Sequence, residues 1–150
     1  MADQKRVMRV LRADDLDAIV AIDKAASKQD RREYYERKID AIVNPKHNIN
    51  SSLVCEVDGK VVGFIMGDVY FGEFGIPETT ATIDTIGVDV SAQNRGVASE
   101  LLDQFMMNMK AAGVHKVYTL VNWDDFSLEK FFSRHRFEPS KRVNLEYTVL

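Results

Sequence analysis

A short loop rich in small residues lies where a phosphate group could bind. It consists of Gln93, Asn94, Arg95, Gly96, Val97 and Ala98. A β-branched run precedes it and an apolar pattern of helical spacing follows, so the loop is predicted to join a strand to a helix. The first N–H groups of a helix have no intrahelical acceptor and lie at the positive end of its dipole. Gly96 and Ala98 leave room for a ligand and Arg95 supplies a charge, so the loop is a candidate anion site.

The spacing of the glycines separates this loop from two well-known phosphate loops. The chain has neither Gly-x-x-x-x-Gly-Lys-Ser/Thr nor Gly-x-Gly-x-x-Gly. A Walker loop and a standard dinucleotide fold are therefore excluded. One other interpretation stays open at this point, which is that Gly96 and Ala98 only begin a helix.

A carboxylate interrupts the β-branched run before the loop. Asp84 lies within residues 79–90, which otherwise consist of apolar residues, Thr, Gly and a second Asp near the end. A carboxylate inside such a strand is unusual. Burial raises the pKa of a carboxyl group toward the range that a general base needs. Asp84 is therefore a candidate base, with a hydrogen bond to a neighbouring strand or loop as the alternative.

The rest of the pattern predicts the elements that position these groups. Periodicity and turn residues predict strands at 7–11, 53–57, 61–66, 79–90, 116–121 and 143–149, and helices around 16–20, 34–43, 97–109 and 127–134. Asp58-Gly59 predicts an antiparallel hairpin. The helix after the loop connects two strands as a crossover, so those strands should be parallel. The expectation is one α+β domain over residues 1–150, with a mixed sheet and helices on both faces.

Composition excludes several function classes. The net charge is −3 with no concentrated basic segment, which argues against nucleic-acid binding. No run of about 18 apolar residues is present, so no membrane partner is expected. The single cysteine and three histidines are not spaced as metal ligands, so no metal is expected. The first residues lack the apolar stretch of a signal peptide, which predicts a cytoplasmic protein.

The loop and its flanks resemble the GNAT superfamily of acetyl-CoA-dependent N-acetyltransferases. That superfamily uses Gln/Arg-x-x-Gly-x-Gly/Ala after its fourth strand, and Gln93, Gly96 and Ala98 fill the three fixed positions. Residues 83–90 resemble the fourth strand and residues 99–102 the helix that follows. The resemblance implies a central, mostly antiparallel twisted sheet of six to seven strands, in which the fourth and fifth strands are parallel and splay apart.

The resemblance also implies a cosubstrate, acetyl-CoA, and the residues that hold it. Amides from about Asn94 to Ser99 would bind the pyrophosphate, and the pantetheine arm would pair with the exposed backbone of the fourth strand. The cofactor-binding residues implied in this way are Ile86, Gly87, Val88, Gln93, Asn94, Arg95, Gly96, Val97, Ala98, Ser99, Asn122, Asp125 and Phe132.

The implied reaction is transfer of an acetyl group to a primary amine by direct attack in a ternary complex. Asp84 matches the place of the family's base. Phe132 stands where many members carry an acidic tyrosine, and Arg136 replaces a glycine of the same pattern. Ser127, Tyr118 or a water would then supply the proton, or the thiolate would leave unprotonated. A non-catalytic acyl-CoA-binding or regulatory module is the alternative function.

The resemblance leaves the acetyl acceptor open. A small-molecule amine and a peptide amine both fit, and the absence of a recruiting domain favours the small molecule. Dimers are common in the superfamily. Here the apolar segment 143–149 is expected to be a strand that could pair between subunits of a homodimer.

Overall fold

The computed structural model describes residues 5–43 and 51–150, which fall in two compact units. The first unit, Met1–Thr119, contains the sheet and three helices. The second, Leu120–Leu150, contains one helix and the C-terminal segment. Residues 1–4, which belong to the N-terminal stretch without a signal-peptide pattern, lie outside the described residues. Among the described helices, none is long and apolar enough to span a bilayer.

The sheet has five strands in the order β1-β2-β3-β4-β5 within the described residues. Neighbours among the first four pair antiparallel, while β4 and β5 pair parallel across the predicted helical crossover. The mixed sheet inferred from the sequence is thereby confirmed. The strands are β1 (Arg6–Val10), β2 (Leu53–Val57), β3 (Lys60–Phe71), β4 (Thr79–Val88) and β5 (Lys116–Thr119). The helices are α1 (Leu16–Ser27), α2 (Arg32–Ile42), α3 (Val97–Ala111) and α4 (Phe126–Arg134).

The expected number of strands, six to seven, was wrong for the described part of the chain, because residues 143–149 form no strand. These residues alternate apolar and polar side chains, the pattern that predicted the strand. A strand also needs a neighbour that accepts and donates its backbone hydrogen bonds, and this segment pairs with no strand among residues 5–43 and 51–150. Its apolar side chains are exposed: Val143 81%, Leu145 89%, Tyr147 88% and Val149 81%.

The helices of the first unit cover both faces of the sheet, as expected. On one face, α1 and α2 bury a cluster that includes Ile19 and Ile39 against Phe64 and Met66 of β3. On the other face, α3 lies so close that a Cβ at Gly67 would approach the Phe105 ring to 2.6 Å. Alternate residues of β3 therefore face opposite helices, as the pleat requires.

A polar cluster joins α1 to α2. The Asp23 carboxylate accepts hydrogen bonds from Arg31 Nε at 2.8 Å and from the Tyr35 hydroxyl at 2.9 Å, and Arg31 makes a second, shorter contact through Nη2. Tyr35 is fully buried. The Arg31 hydrogen bond, opposed by burial and aided by Tyr35, lowers the pKa of Asp23 below its ordinary value. Asp23 thus stays ionised and fixes α2 over the sheet.

Candidate functional site

A β-bulge in β4 orients Asp84. Along β3, Met66 and Gly67 are consecutive, but their partners on β4 are Thr85 and Ile83. Asp84 is therefore the extra residue on β4. An added residue bends the strand and re-aims side chains, which is why bulges often lie beside functional sites.

Backbone groups released near the bulge bind two serines. The N–H of Gly67 donates to Ser52 Oγ at 3.2 Å, and its carbonyl accepts from Ser51 Oγ at 2.6 Å. Both serines are buried, and Ser52 is 0% exposed. The bulge is therefore supported by hydrogen bonds that replace part of the ladder.

Both carboxylate oxygens of Asp84 have a partner. Lys38 Nζ of α2 lies 2.6 Å from Oδ2, and Thr82 Oγ1 donates to Oδ1 at 3.1 Å. The Asp84 side chain is 24% exposed and lines a cleft. The sequence suggested a carboxylate among apolar neighbours, but the structure gives it an ion pair in a solvent-accessible cleft. Burial in apolar surroundings is therefore not the feature that defines this carboxylate.

The outer edge of β4 is left open beyond Ile83. Strand β5 pairs with β4 only at residues 80–83. The last of these contacts is reinforced by Thr119 Oγ1, which donates to the Ile83 carbonyl at 2.9 Å. Ile86, Gly87 and Val88 pair with β3 on their other side. Their outward N–H and C=O groups therefore lie beyond the β5 pairing, where an extended ligand could pair with them.

The loop after β4 turns through two residues with positive φ before α3 begins. Asp89 starts it, with its carboxylate accepting the N–H of Ser91 at 2.9 Å. Asn94 and Gly96 have φ values of 62° and 82°, and α3 begins at Val97. Arg95 lies between Asn94 and Gly96, and Ala98 is the second residue of α3. Gln93 Nε2 donates to the Val88 carbonyl at 3.3 Å. The predicted strand–loop–helix order is thereby confirmed at residue level.

Gly96 has space around it. A Cβ built there would have one neighbour within 4 Å, Arg6 Nη1 at 3.8 Å. The position therefore favours glycine because of its backbone conformation rather than because of crowding. Open space above a helix N-terminus, together with the left-handed turn, fits the approach of a phosphate group.

Arg6 of β1 tethers this loop, a contact that the sequence did not indicate. Its Nη1 lies 2.7 Å from Glu100 Oε1 in α3, and its Nη2 donates to the Arg95 carbonyl. The Arg6 and Glu100 side chains are 27% and 48% exposed. Residues so distant in sequence give no periodic or motif signal, so only the fold reveals that Arg6 orients the loop.

Tyr118 lies on the same row of the sheet as groups near Asp84. It pairs with Thr82 across β4 and β5, and Thr82 pairs with Asp68 of β3. Paired residues point to the same face of a sheet. Tyr118, Thr82 and Asp68 therefore share the face on which Lys38 contacts Asp84.

The second unit carries the remaining predicted residues. The N–H of Asp125 donates to the Asn122 carbonyl at 2.9 Å, and the Asp125 carboxylate caps α4 by accepting the N–H of Leu128 at 3.1 Å. Ser127 follows in the first turn of α4. Phe132 is 4% exposed and its ring lies 5.0 Å from that of Phe137. Asp125 and Phe132 therefore have structural roles, and their contact with a cofactor stays a prediction.

The described residues contain no group of three or more His, Cys, Asp or Glu side chains that could hold a metal ion. Cys55 is buried, and burial raises the pKa of its thiol. A thiol in this state is a poor nucleophile. The candidate site thus consists of the loop, the open edge of β4 and the cleft at Asp84.

Comparison with known proteins agrees with this geometry. The chain is 26% identical over 142 residues to an acetyltransferase of Pectobacterium atrosepticum, covering 92% of each chain. A transcriptional regulator from Bacillus halodurans C-125 superposes with a TM-score of 0.80 at 17% identity, covering 97% of this chain and 100% of that one. The aminoglycoside N-acetyltransferase AAC(6')-Iy, solved with CoA, superposes with a TM-score of 0.80 at 16% identity, covering 98% and 97%.

The sequence model of the Acetyltransferase (GNAT) family matches residues 13–137. That span includes the four helices α1 to α4, the bulge at Asp84 and the loop with Gly96. The match covers most of the chain and agrees with the parallel β4–β5 pair in the fold. The chain belongs to the GNAT acetyltransferase family.

Proposed function

We propose that the protein transfers an acetyl group from acetyl-CoA to a primary amine by direct attack in a ternary complex. The observation that carries this proposal is the loop at Gly96, where a left-handed glycine with open space above it begins α3 directly beside the open edge of β4. A phosphate site and an adjacent free strand edge suit a ligand that has a pyrophosphate at one end and an extended amide-containing arm at the other.

The residues present fit CoA. Amides of Gly96, Val97 and Ala98 would hold the pyrophosphate, with Arg95 near its charge. The backbone at Ile86, Gly87 and Val88 would pair with the pantetheine amides. The relative AAC(6')-Iy was solved with CoA, which supports the same ligand here.

Asp84 would act on the acceptor amine. An amine attacks only as the free base, so a proton must leave nitrogen before or during attack. The nitrogen then bonds to the thioester carbonyl carbon, the C–S bond breaks, and the thiolate leaves. A backbone N–H of β4 would stabilise the oxyanion. Asp84, on the face that also carries Lys38 and Thr82, would receive the amine proton directly or through water.

Tyr118 is the candidate acid that the fold supports best. It shares a sheet face with Asp84, and both belong to the first unit. Ser127 and a water remain the other donors. A Tyr118→Phe variant tests the role: kcat should fall by roughly 10²-fold or more if its proton is used, while KM for acetyl-CoA stays unchanged. Ser127→Ala tests the other side-chain donor in the same assay, and a loss of kcat in that variant with Tyr118→Phe unaffected would contradict the role of Tyr118.

A second candidate function is binding of acyl-CoA without efficient turnover. One observation favours it: Phe132 occupies the place of the family's acidic tyrosine, and its buried ring has no proton to give. An enzyme releases free thiol in the presence of a suitable amine, whereas a binding module does not.

The experiment is thermal unfolding with and without acetyl-CoA, followed by thiol release with a panel of primary amines. Acetyl-CoA at 100 times its dissociation constant should stabilise the native chain by about 2.7 kcal/mol. A Gly96→Glu variant places a negative charge at the phosphate site and should lose that gain. Binding with thiol release supports the acetyltransferase, binding without it supports the second candidate, and no binding contradicts both.

A further inference from the structure

The Lys38–Asp84 ion pair occupies the place where an acceptor amine would meet its base. The Lys38 and Asp84 side chains are 30% and 24% exposed, with 2.6 Å between Nζ and Oδ2. The other oxygen of Asp84 is held by Thr82 at 3.1 Å. A substrate ammonium that binds Oδ2 of this carboxylate competes with Lys38.

Burial does not make Lys38 give up its proton. Burial alone would lower the pKa of Lys38, but the hydrogen bond and charge of Asp84, with smaller effects of Tyr34 and Tyr70, raise it above the ordinary value. Lys38 thus stays a cation near neutral pH. A second anion in the cleft would stabilise Lys38 when it leaves Asp84, because an unpaired charge is less favourable where access to water is reduced.

Asp68 is positioned to be that anion. It lines the same cleft as Lys38 and Asp84, and it pairs with Thr82 on the face that carries Asp84. The flexible four-carbon stem of a lysine can redirect its ammonium group within such a cleft by rotation of its bonds. One Asp68 oxygen accepts the N–H of Val69 at 2.9 Å.

Carboxylates outnumber cations among the described residues that line the cleft. These residues include two carboxylates, Asp68 and Asp84, and one cation, Lys38. One added ammonium balances the two carboxylates. An amine that carries its own carboxylate would restore the excess of negative charge within a few ångströms, where like charges repel strongly at reduced dielectric.

We propose that Lys38 is a resident cation that moves from Asp84 to Asp68 when an acceptor binds, so that the site selects amines without a carboxylate beside the amino group. The proposal rests on the proposed function, because the acceptor is the amine of that reaction. Asp84 is the residue that contacts the reacting nitrogen. Lys38 and Asp68 act through it, as positioning residues.

Matched pairs of amines test the selection. Cadaverine and L-lysine, ethanolamine and L-serine, and isoamylamine and L-leucine each differ by one carboxylate. Steady-state thiol release from acetyl-CoA should give a kcat/KM at least tenfold higher for the plain amine in every pair that is turned over. An equal or higher value for the amino acids would overturn the proposal. If none of the amines, with or without a carboxylate, gives thiol release, the proposed function itself would be contradicted.

Variants test the movement of Lys38. Lys38→Met removes the competing cation and should lower KM for the plain amine by roughly three- to tenfold, while Lys38→Arg keeps the charge and stays near the native value. Asp68→Asn should raise that KM by a similar factor with kcat little changed, because Asp68 does not contact the reacting atoms. If the ion pair has only a structural role, Lys38→Met should lower the stability of the fold and leave KM for the plain amine unchanged or higher. That result would refute the movement.

Discussion

Replacement of Gly96 by alanine separates the backbone role of this residue from its role toward a ligand. At φ 82° an added Cβ has only Arg6 Nη1 within 4 Å, at 3.8 Å, so no clash is expected. The left-handed conformation itself costs a non-glycine residue roughly 1–2 kcal/mol. About 0.4–1 kcal/mol of that is offset because alanine restricts the unfolded chain.

Gly113 supplies a matched control at the other end of α3. Its φ is 80°, and an added Cβ would meet nothing within 4 Å. Gly113→Ala should therefore cost the same free energy of unfolding as Gly96→Ala, about 1 kcal/mol net. For a chain of this size the midpoint of thermal unfolding should fall by roughly 2–4 °C in each.

The two variants should differ only in their response to acetyl-CoA. Gly113→Ala should keep the full stabilisation, about 2.7 kcal/mol at 100 times the native dissociation constant. A methyl group at Gly96 lies where the phosphate approaches, and a tenfold weaker affinity would reduce the gain to about 1.4 kcal/mol. Denaturant unfolding with and without acetyl-CoA measures both quantities. An equal gain in the two variants would refute the placement of the phosphate at Gly96.

Three further perturbations follow from contacts in the first unit. Arg6→Met releases the loop and should raise KM for acetyl-CoA by roughly three- to tenfold with kcat preserved, while the lost surface ion pair costs at most about 1 kcal/mol of stability; a lower kcat at unchanged KM would contradict the tether. Ser52→Ala leaves the buried N–H of Gly67 without its acceptor and should lower the free energy of unfolding in urea by roughly 1–3 kcal/mol. An unchanged free energy of unfolding would show that this hydrogen bond does not stabilise the bulge. Asp23→Asn should cost roughly 1–3 kcal/mol at neutral pH. Because the pKa of Asp23 is lowered on folding, its contribution to stability is present above about pH 3.8 and is lost as pH falls through the pKa of the folded state. The free energy of unfolding should therefore depend less on acid pH in Asp23→Asn than in the native chain. An unchanged dependence would contradict a stabilising role for the ionised Asp23.

Local signals in the sequence were sufficient to locate the loop. The left-handed turn at Gly96 and the start of α3 at Val97 follow from residue types within a few positions. The hairpin at Asp58-Gly59 was equally local, and both residues have positive φ values, 51° and 80°. Such features depend on backbone preferences that short stretches of sequence determine.

Contacts between distant residues could not be predicted in the same way. Lys38 and Asp84 are 46 positions apart, and nothing in either segment indicates the other. The bulge that aims Asp84 arises from a mismatch in pairing between β3 and β4, which hydrophobic alternation does not encode. Asp84 was thus identified as a carboxylate of interest, while its ion pair was visible only in the fold.

The segment 143–149 shows the converse error. Its alternation of Val143, Leu145, Tyr147 and Val149 satisfies the local pattern of a strand. Strand formation also requires a paired edge, which is a property of the assembled fold rather than of the segment. Local pattern therefore predicted a strand that is absent from the described residues, and pairing between subunits stays a prediction.

Detection of the N-acetylated product is the most direct test of acetyl transfer by this chain. Acetyl-CoA labelled in the acetyl group would be incubated with cadaverine, and labelled amide and free thiol would be quantified together in the native chain and in Gly96→Glu. The native chain should give labelled amide and free thiol in equal amounts, and the variant should give neither above background. Thiol without labelled amide, or acetyl-CoA binding without either product across the amine panel, would contradict it.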